Sequence, residues 1–522
     1  MKLPLFLAAF AAVLPLAAFA QDYDLVIRGG RVIDGTGRPG VVTDIGIRGD
    51  RVATLGSIGA RGRAEIDAAG RVVAPGFIDV HTHSEDITEL PVGENFIRMG
   101  VTTIVTGNCG GSKLDVGAFF AAITRTGVAL NVATLVGHNT VRSQVMGGSF
   151  ARPPTADELA KMCDHVDRGM RDGAVGLSTG LIYLPGTFAK TDEIVALPKV
   201  ASAHGGVYAS HMRYENTRIR EALDELTTIA REAKIPAEVS HLKLSGPSAW
   251  GRADEIAAYL DGARAGGLSI THDQYAYTAS STSIGSLIAA EFREGGAKRY
   301  QERLADPAIK VKMVAEMKES IARGKRGDYT YAVIASFRSD PKLNGKTIPQ
   351  AAKLLRGADT LDDQIETILE IEKRGGAQGV FHGMSEPDLQ KFLALPHTMI
   401  ASDAGPRRFG NAVPHPRGYG NNARVLGRYV RELKVLTLEE AVRKMTSLPA
   451  QAFRLKERGE LRAGAIADIV IFDPATVSDP SKFDDPHHYA VGFSDIVVNG
   501  VPVIRAEKLT EARPGRPVKR GE

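Results

Sequence analysis

Apolar residues of this chain fall into short runs rich in β-branched side chains, and most runs are followed by a stretch with helical spacing. Such alternation predicts parallel strands joined by helices. The eight runs that fit this pattern are 77–80, 101–106, 130–136, 174–178, 206–210, 236–240, 268–271 and 398–402. Eight strand–helix units predict a closed (β/α)8 barrel of the TIM type, in which functional residues collect at the carboxyl ends of the strands.

Several of these strands end in a residue that binds metals or ionises. A lone His-x-His pair at a strand end is more often one exposed and one hydrogen-bonded histidine than a metal site. An aspartate before Ala404-Gly405-Pro406 also suits an ordinary turn. Six candidate ligands at the same end of one barrel outweigh both interpretations and favour a zinc-type divalent ion. The six are His81, His83, Cys109, His211, His241 and Asp403.

The order His-x-His, Cys, His, His, Asp on successive strands resembles the amidohydrolase superfamily. Many members carry a carboxylated lysine as bridging ligand, whereas here no lysine closes the fourth strand and Cys109 closes the second. In this exchange the chain resembles the D-aminoacylase (N-acyl-D-amino-acid deacylase) branch. The segments that share the resemblance are 173–180 (GAVGLSTG), 203–213, 240–243 (SHLK), 414–417 (PHPR) and 464–477.

The resemblance implies a role for each candidate ligand. Cys109, His211 and His241 would hold one tightly bound zinc ion. His81 and His83 would belong to a second, weaker site that shares Cys109 or Asp403, and one metal would suffice for activity. Asp403 would act as general base and then as general acid.

The implied activity is hydrolysis of the amide bond of N-acyl-D-amino acids, and D-stereospecificity rests on the resemblance alone. Lys243, Tyr277 and Arg417 would bind the substrate α-carboxylate, which suits cationic donors. The plainer interpretation of these residues is two surface cations and a core tyrosine. Two other functions stay open: another amidohydrolase reaction (on a dipeptide or a cyclic amide), and a non-catalytic amidohydrolase-like binding protein.

Domain organisation follows from the same pattern. Residues 76–454 are predicted to form the barrel, with an insertion at about 280–345 that would act as a lid. Short glycine-punctuated strands in 21–75 and 455–510 predict one small β domain built from both chain ends. The family resemblance implies that these two parts pack together as a β-sandwich. Residues 511–522, rich in proline and arginine, are expected to be a disordered tail.

Composition fits a large enzyme with a small-molecule substrate. The chain has 522 residues, 43% hydrophobic, and a net charge of only +4, which argues against a nucleic-acid partner. Lys2, an apolar run and Ala18-Phe19-Ala20 are typical of a signal peptide cleaved after Ala20, so we expect an exported, periplasmic protein without a membrane partner after cleavage. Cys163 is expected to be a small buried residue rather than a disulfide partner of Cys109.

Overall fold

The structure, a computed structural model, describes residues 22–522, so the predicted signal peptide lies outside the described residues. Five strands open the chain: β1 (Tyr23–Val32), β2 (Val41–Arg48), β3 (Arg51–Gly56), β4 (Gly62–Asp67) and β5 (Val72–Pro75). β1 is the centre of this group, because it pairs antiparallel with β2 and parallel with β4 and β5.

Seven parallel strands follow, close to the predicted runs. They are β6 (Phe77–Asp79), β7 (Val101–Thr106), β8 (Asn131–Gly137), β9 (Gly176–Gly180), β10 (Val207–His211), β11 (Ala237–Val239) and β12 (Ile270–Gln274). The helices between them are α1 (Glu94–Ile97), α2 (Val116–Thr126), α3 (His138–Met146), α4 (Ala156–Arg171), α5 (Thr191–Ala203), α6 (Ile219–Ala233) and α7 (Ala253–Ala265). Helix α4 begins with a capping box of Thr155 and Glu158.

An insertion separates β12 from the last barrel strand. Its strands are β13 (Ala279–Ser283), β14 (Ala332–Ser336) and β15 (Gln378–His382), and its helices are α8 (Ala290–Arg293), α9 (Gly296–Ala305), α10 (Pro307–Arg323), α11 (Ile348–Arg356) and α12 (Leu361–Lys373). The predicted boundary at about residue 345 is wrong, because β15 is the middle strand of this sheet and pairs with both β13 and β14. The insertion also has its own apolar core, which includes Tyr329 and Phe337.

The barrel closes after α13 (Glu386–Ala394) with strand β16 (Thr398–Ile400). The eight-stranded sheet has the order β16-β12-β11-β10-β9-β8-β7-β6. Its two ends meet just beyond the strands, where the Asp403 amide donates to the His81 carbonyl (2.9 Å) and the His83 amide to the Ala404 carbonyl (2.8 Å). The fold is therefore the predicted (β/α)8 barrel, and its closure joins candidate ligands from the first and last strands.

The remaining elements complete the β domain. After α14 (Arg417–Arg424), a π-helical segment (Val425–Glu432), α15 (Leu438–Met445) and α16 (Ser447–Ala452) come β17 (Ile469–Phe472), β18 (Phe493–Val498), β19 (Val501–Arg505) and β20 (Lys508–Leu509). These last strands join the first five in one nine-stranded sheet. Side chains from both chain ends, among them Ile27, Ile45 and Ile469, share one apolar core.

The C-terminal tail is ordered, and the prediction of disorder for 511–522 is wrong. The Val518 amide donates to the Val132 carbonyl, and the Val132 amide donates to Arg516, so the tail runs along the start of β8. Val518 is 4% exposed and lies in the apolar cluster that fills the barrel interior. Disorder was predicted from the proline-rich composition of the tail, which does not show that Val518 is buried in the barrel.

Among the described helices, none is both long enough and apolar enough to cross a membrane.

Candidate metal centre

The six predicted ligands converge at the carboxyl end of the barrel. The Cys109 sulfur lies 3.3 Å from His81 Nε2, 3.5 Å from His211 Nδ1 and 3.7 Å from His241 Nε2. On the other side, Asp403 Oδ1 lies 3.1 Å from His83 Nε2 and 3.6 Å from His81 Nε2. Three sets have donor atoms within 4.8 Å of one another: His81–His83–Cys109, Cys109–His211–His241 and His81–His241–Asp403.

The backbone at three of these residues is unusual. Cys109 (φ 51°), His241 (φ 38°) and Asp403 (φ 51°) lie in the left-handed region, which non-glycine residues seldom adopt. Each follows its strand by two or three residues, so the reversed φ turns the side chain inward above the barrel axis. Strained residues of this kind persist where the surroundings fix them, and they concentrate at functional sites.

The electrostatics of the centre favour anionic sulfur and carboxylate groups. Burial would raise the pKa of Cys109, but His81 and His211 outweigh it and hold the pKa well below its usual value. Burial likewise opposes ionisation of Asp403, yet Arg417 and His81 hold its pKa well below the usual range. Burial disfavours the charged form of His81, but Asp273 and Cys109 raise its pKa. A buried group of two anions among imidazoles offers the donor chemistry of a divalent zinc-type ion.

Two carboxylates orient the candidate ligands, and the sequence reasoning missed both. Asp273 Oδ2 lies 3.0 Å from His81 Nδ1, and Glu215 Oε1 lies 3.0 Å from His241 Nδ1. A carboxylate that accepts the Nδ1 proton leaves Nε2 free to bind a metal. Asp273 could have been identified from its position at the end of the seventh predicted strand. Glu215 lies in a loop without any sequence pattern that would identify it.

Two of the three predicted substrate-binding residues lie beside the candidate ligands. Arg417 is 3% exposed and its Nη2 lies 2.9 Å from Asp403 Oδ2. Lys243 is also buried, and its ammonium lies 2.5 Å from Glu215 Oε1 and 2.7 Å from His241 Nδ1.

Tyr277 does not fit its predicted role. Its hydroxyl donates to Asp479 (2.6 Å), away from the ligands, because the C-terminal segment places a buried carboxylate there. Tyr275, two residues earlier, is the tyrosine that faces the centre: the Arg417 guanidinium lies 4.5 Å from its ring centroid.

A cavity of about 1130 Å³ opens above the centre. Among the described residues, its wall includes Cys109, Asp403 and Arg417, together with Ser281, Arg338 and other residues of the insertion. The insertion therefore forms part of the wall above the centre, and its action as a lid stays a prediction.

Tyr183, which the sequence reasoning missed, also lines the cavity. Its ring centroid lies 4.6 Å from that of His211, and its hydroxyl accepts from Thr282 of the insertion (3.2 Å). Burial and the Cys109 charge raise the pKa of Tyr183 well above its usual value, so the hydroxyl keeps its proton.

Both cysteines are free thiols, so Cys109 and Cys163 form no disulfide. His272 has a structural role, with Nε2 2.7 Å from the Thr398 hydroxyl. Neither Cys163 nor His272 belongs to the groups of candidate ligands among residues 22–522.

The sequence and the structure are both similar to those of known amidohydrolases. The amidohydrolase family model matches residues 64–504. D-aminoacylase from Alcaligenes xylosoxydans xylosoxydans is 36% identical over 532 residues, which cover 96% of this chain and 98% of that protein. A solved D-aminoacylase structure, from work on its binuclear metal centre, superimposes with a TM-score of 0.81 at 35% identity, covering 95% of this chain and 100% of that one. The N-acyl-D-glutamate deacylase of Bordetella bronchiseptica, complexed with zinc and a phosphonate inhibitor, gives 0.82 at 33% identity, covering 95% and 99%.

Proposed function

Because the chain belongs to the amidohydrolase family, in its D-aminoacylase branch, we propose that it hydrolyses the amide bond of N-acyl-D-amino acids to a D-amino acid and a carboxylate. The observation that carries this proposal is the position of Asp403, which contacts both the histidine cluster and Arg417 beneath one cavity. A substrate whose α-carboxylate meets Arg417 brings its scissile amide close to Asp403 and the candidate ligands.

The residues that would hold one tightly bound zinc ion are Cys109, His211 and His241, while His81 and His83 would serve a second, weaker site. Zinc is supported by the sulfur and imidazole donors and by the zinc complex of the Bordetella relative. When bound, such an ion lowers the pKa of a water molecule to about 7 and polarises the amide carbonyl.

Asp403 is the proposed general base and acid. It is ionised at neutral pH, since Arg417 and His81 lower its pKa against the effect of burial. The carboxylate therefore accepts the proton of the attacking water at one oxygen and later gives it to the leaving amine. Its backbone bond to His81 and its contact with Arg417 hold the carboxylate in place for both transfers.

Arg417 is the proposed anchor for the α-carboxylate. Its Nε and Nη1 are buried and have no hydrogen-bond partner among residues 22–522, so both remain available to an anion. Lys243 adds positive charge beside Glu215, and Tyr183 supplies a protonated hydroxyl on the side of His211. Tyr183 is thus placed to donate to the oxygen on which negative charge develops.

Export of the protein is a further proposal, supported by the sequence of residues 1–20. The positive Lys2, the apolar run and the Ala-Phe-Ala ending are the features of a cleaved signal peptide.

The test is amine release from N-acetyl-D-methionine and N-acetyl-L-methionine by purified protein of measured zinc content. D-selective hydrolysis that Asp403→Ala abolishes, with zinc retained, supports the proposal. Bound zinc without turnover of either isomer contradicts deacylase activity and directs the assay to dipeptides and cyclic amides. Absence of both metal and turnover would favour a non-catalytic binding protein.

A further inference from the structure

Arg407 is a cavity arginine without a carboxylate partner. It lies in the loop after β16, four residues beyond Asp403, and it lines the cavity. Among residues 22–522 its side chain forms no ion pair or hydrogen bond, although Nε is buried. Other buried cations have partners: Arg142 contacts Glu193 at 2.8 Å, and Lys243 contacts Glu215 at 2.5 Å.

Among the described residues, no charged group near Arg407 forms an ion pair with it. Burial lowers the pKa of Arg407, as does Arg417, while Tyr419 and two nearby aspartates act in the opposite direction. Nε of Arg407 packs against Gly418, the residue after Arg417. Asp403 forms its ion pair with Arg417 (2.9 Å), and neither Asp403 nor Asp86, on the same cavity wall, forms one with Arg407. A partly buried cation without a partner is costly unless an anion joins it.

A buried asparagine fixes the two arginines relative to each other. Asn95 is 0% exposed; its Oδ1 accepts from the Arg407 amide (3.1 Å), and its Nδ2 donates to the carbonyls of Gly405 (3.3 Å) and Gly418 (2.8 Å). Gly418 follows Arg417 at the start of α14. Asn95 therefore ties the loop of Arg407 to the helix of Arg417, and the pair is organised before a ligand arrives.

We propose that Arg407 binds a second carboxylate of the substrate, so that this enzyme prefers N-acyl-D-amino acids with an additional negative charge on the side chain or on the acyl group. The inference rests on the proposed function, which assigns the α-carboxylate to Arg417. A substrate with the α-carboxylate alone leaves Arg407 unpaired when the cavity loses its water. A second carboxylate supplies the missing partner through charge-assisted hydrogen bonds.

The first experiment compares charged substrates with their neutral isosteres. The side-chain pair is N-acetyl-D-glutamate and N-acetyl-D-glutamine, and the acyl pair is N-succinyl-D-leucine and N-succinamoyl-D-leucine. In the wild type we expect kcat/KM to be about 10–100-fold higher for the charged member of one pair, as expected for a hydrogen bond to a charged group. The pair that shows the preference identifies which end of the substrate meets Arg407.

The variants then assign the preference to one residue. Arg407→Met should remove at least nine-tenths of the preference, lowering kcat/KM for the charged member and leaving the neutral member within about twofold. Arg407→Lys should restore part of it. Arg408→Met removes one positive charge from the adjacent exposed position. It should change neither the preference for the charged member nor kcat/KM for the neutral member. Equal rates within both pairs in the wild type, or equal losses for charged and neutral members in Arg407→Met, would overturn the inference.

A binding measurement separates this inference from the proposed function. Calorimetry with wild type and Arg407→Met compares D-glutamate with D-glutamine, neither of which is hydrolysed. Tighter binding of D-glutamate that depends on Arg407 supports the anion site even if no N-acyl-D-amino acid is turned over. Equal binding of the two amino acids excludes a side-chain carboxylate at Arg407, and equal rates within the acyl pair as well overturn the inference, even if the neutral N-acyl substrates are hydrolysed well.

Discussion

Glu215→Gln should weaken the metal site of His241 without any change to a ligand. The Glu215 carboxylate lies 3.0 Å from His241 Nδ1 and 2.5 Å from the Lys243 ammonium, and that ammonium lies 2.7 Å from the same Nδ1. The carboxylate therefore selects the tautomer in which Nε2 is free for a metal. It also compensates a lysine whose side chain is only 3% exposed.

Two costs follow from the loss of this carboxylate. Breaking a buried ion pair leaves an uncompensated charge, which costs about 3–5 kcal/mol. Loss of a partner that orients a ligand typically costs 10–100-fold in metal affinity, which is about 1.4–2.8 kcal/mol. We therefore expect Glu215→Gln to be less stable without metal and to bind zinc 10–100-fold more weakly.

The assay is competition for zinc against a chromophoric chelator, combined with thermal unfolding of the metal-stripped proteins. Glu225→Gln is the matched control, because Glu225 has the same 12% side-chain exposure and pairs with Arg213 at 3.0 Å, away from the ligands. The control should lose stability but keep its zinc affinity. A zinc dissociation constant for Glu215→Gln within twofold of the wild-type value would show that Glu215 does not support the metal site.

Three further predictions concern other parts of the molecule. Asp403→Asn should lower kcat by about 10²–10⁴-fold with unchanged circular dichroism, and a loss below tenfold would exclude it as general base. Lys444 is 0% exposed and burial lowers its pKa from 10.5 to about 8, so the unfolded state binds more protons between these values. Stability should therefore rise with pH from about 8 to 10.5, by about 3 kcal/mol, and chemical denaturation should show that Lys444→Met lacks this rise. Val518→Asp should lower the melting temperature because it buries a charge in the barrel, whereas the exposed Arg513→Asp should not; equal melting temperatures would contradict the role of the tail.

The barrel was predictable because each of its strands is a short apolar run with a distinct end. Val101–Thr106 has the same bounds in the sequence prediction and in the structure. The residues after the strands had to meet once the barrel closed, which explains why Cys109, His211 and Asp403 could be grouped from a linear sequence.

Other features depend on contacts that no local pattern records. Glu215 contacts His241 only because a loop after β10 folds over the sixth strand. Tyr277 and Tyr275 look alike in sequence, and only Asp479, far along the chain, decides which one turns away. The end of the insertion was misplaced because β15 completes a sheet whose other strands come much earlier.

The proposed zinc-dependent deacylase activity is best tested by the return of activity as zinc is titrated into chelator-stripped protein, with N-acetyl-D-methionine as substrate and the L-isomer as control. The proposed one-zinc site predicts that D-selective activity rises to its maximum with the first equivalent of zinc, and that Cys109→Ala, which lacks one of the three proposed ligands, needs a large excess. Full activity in the stripped protein, or equal zinc dependence in Cys109→Ala, would contradict it.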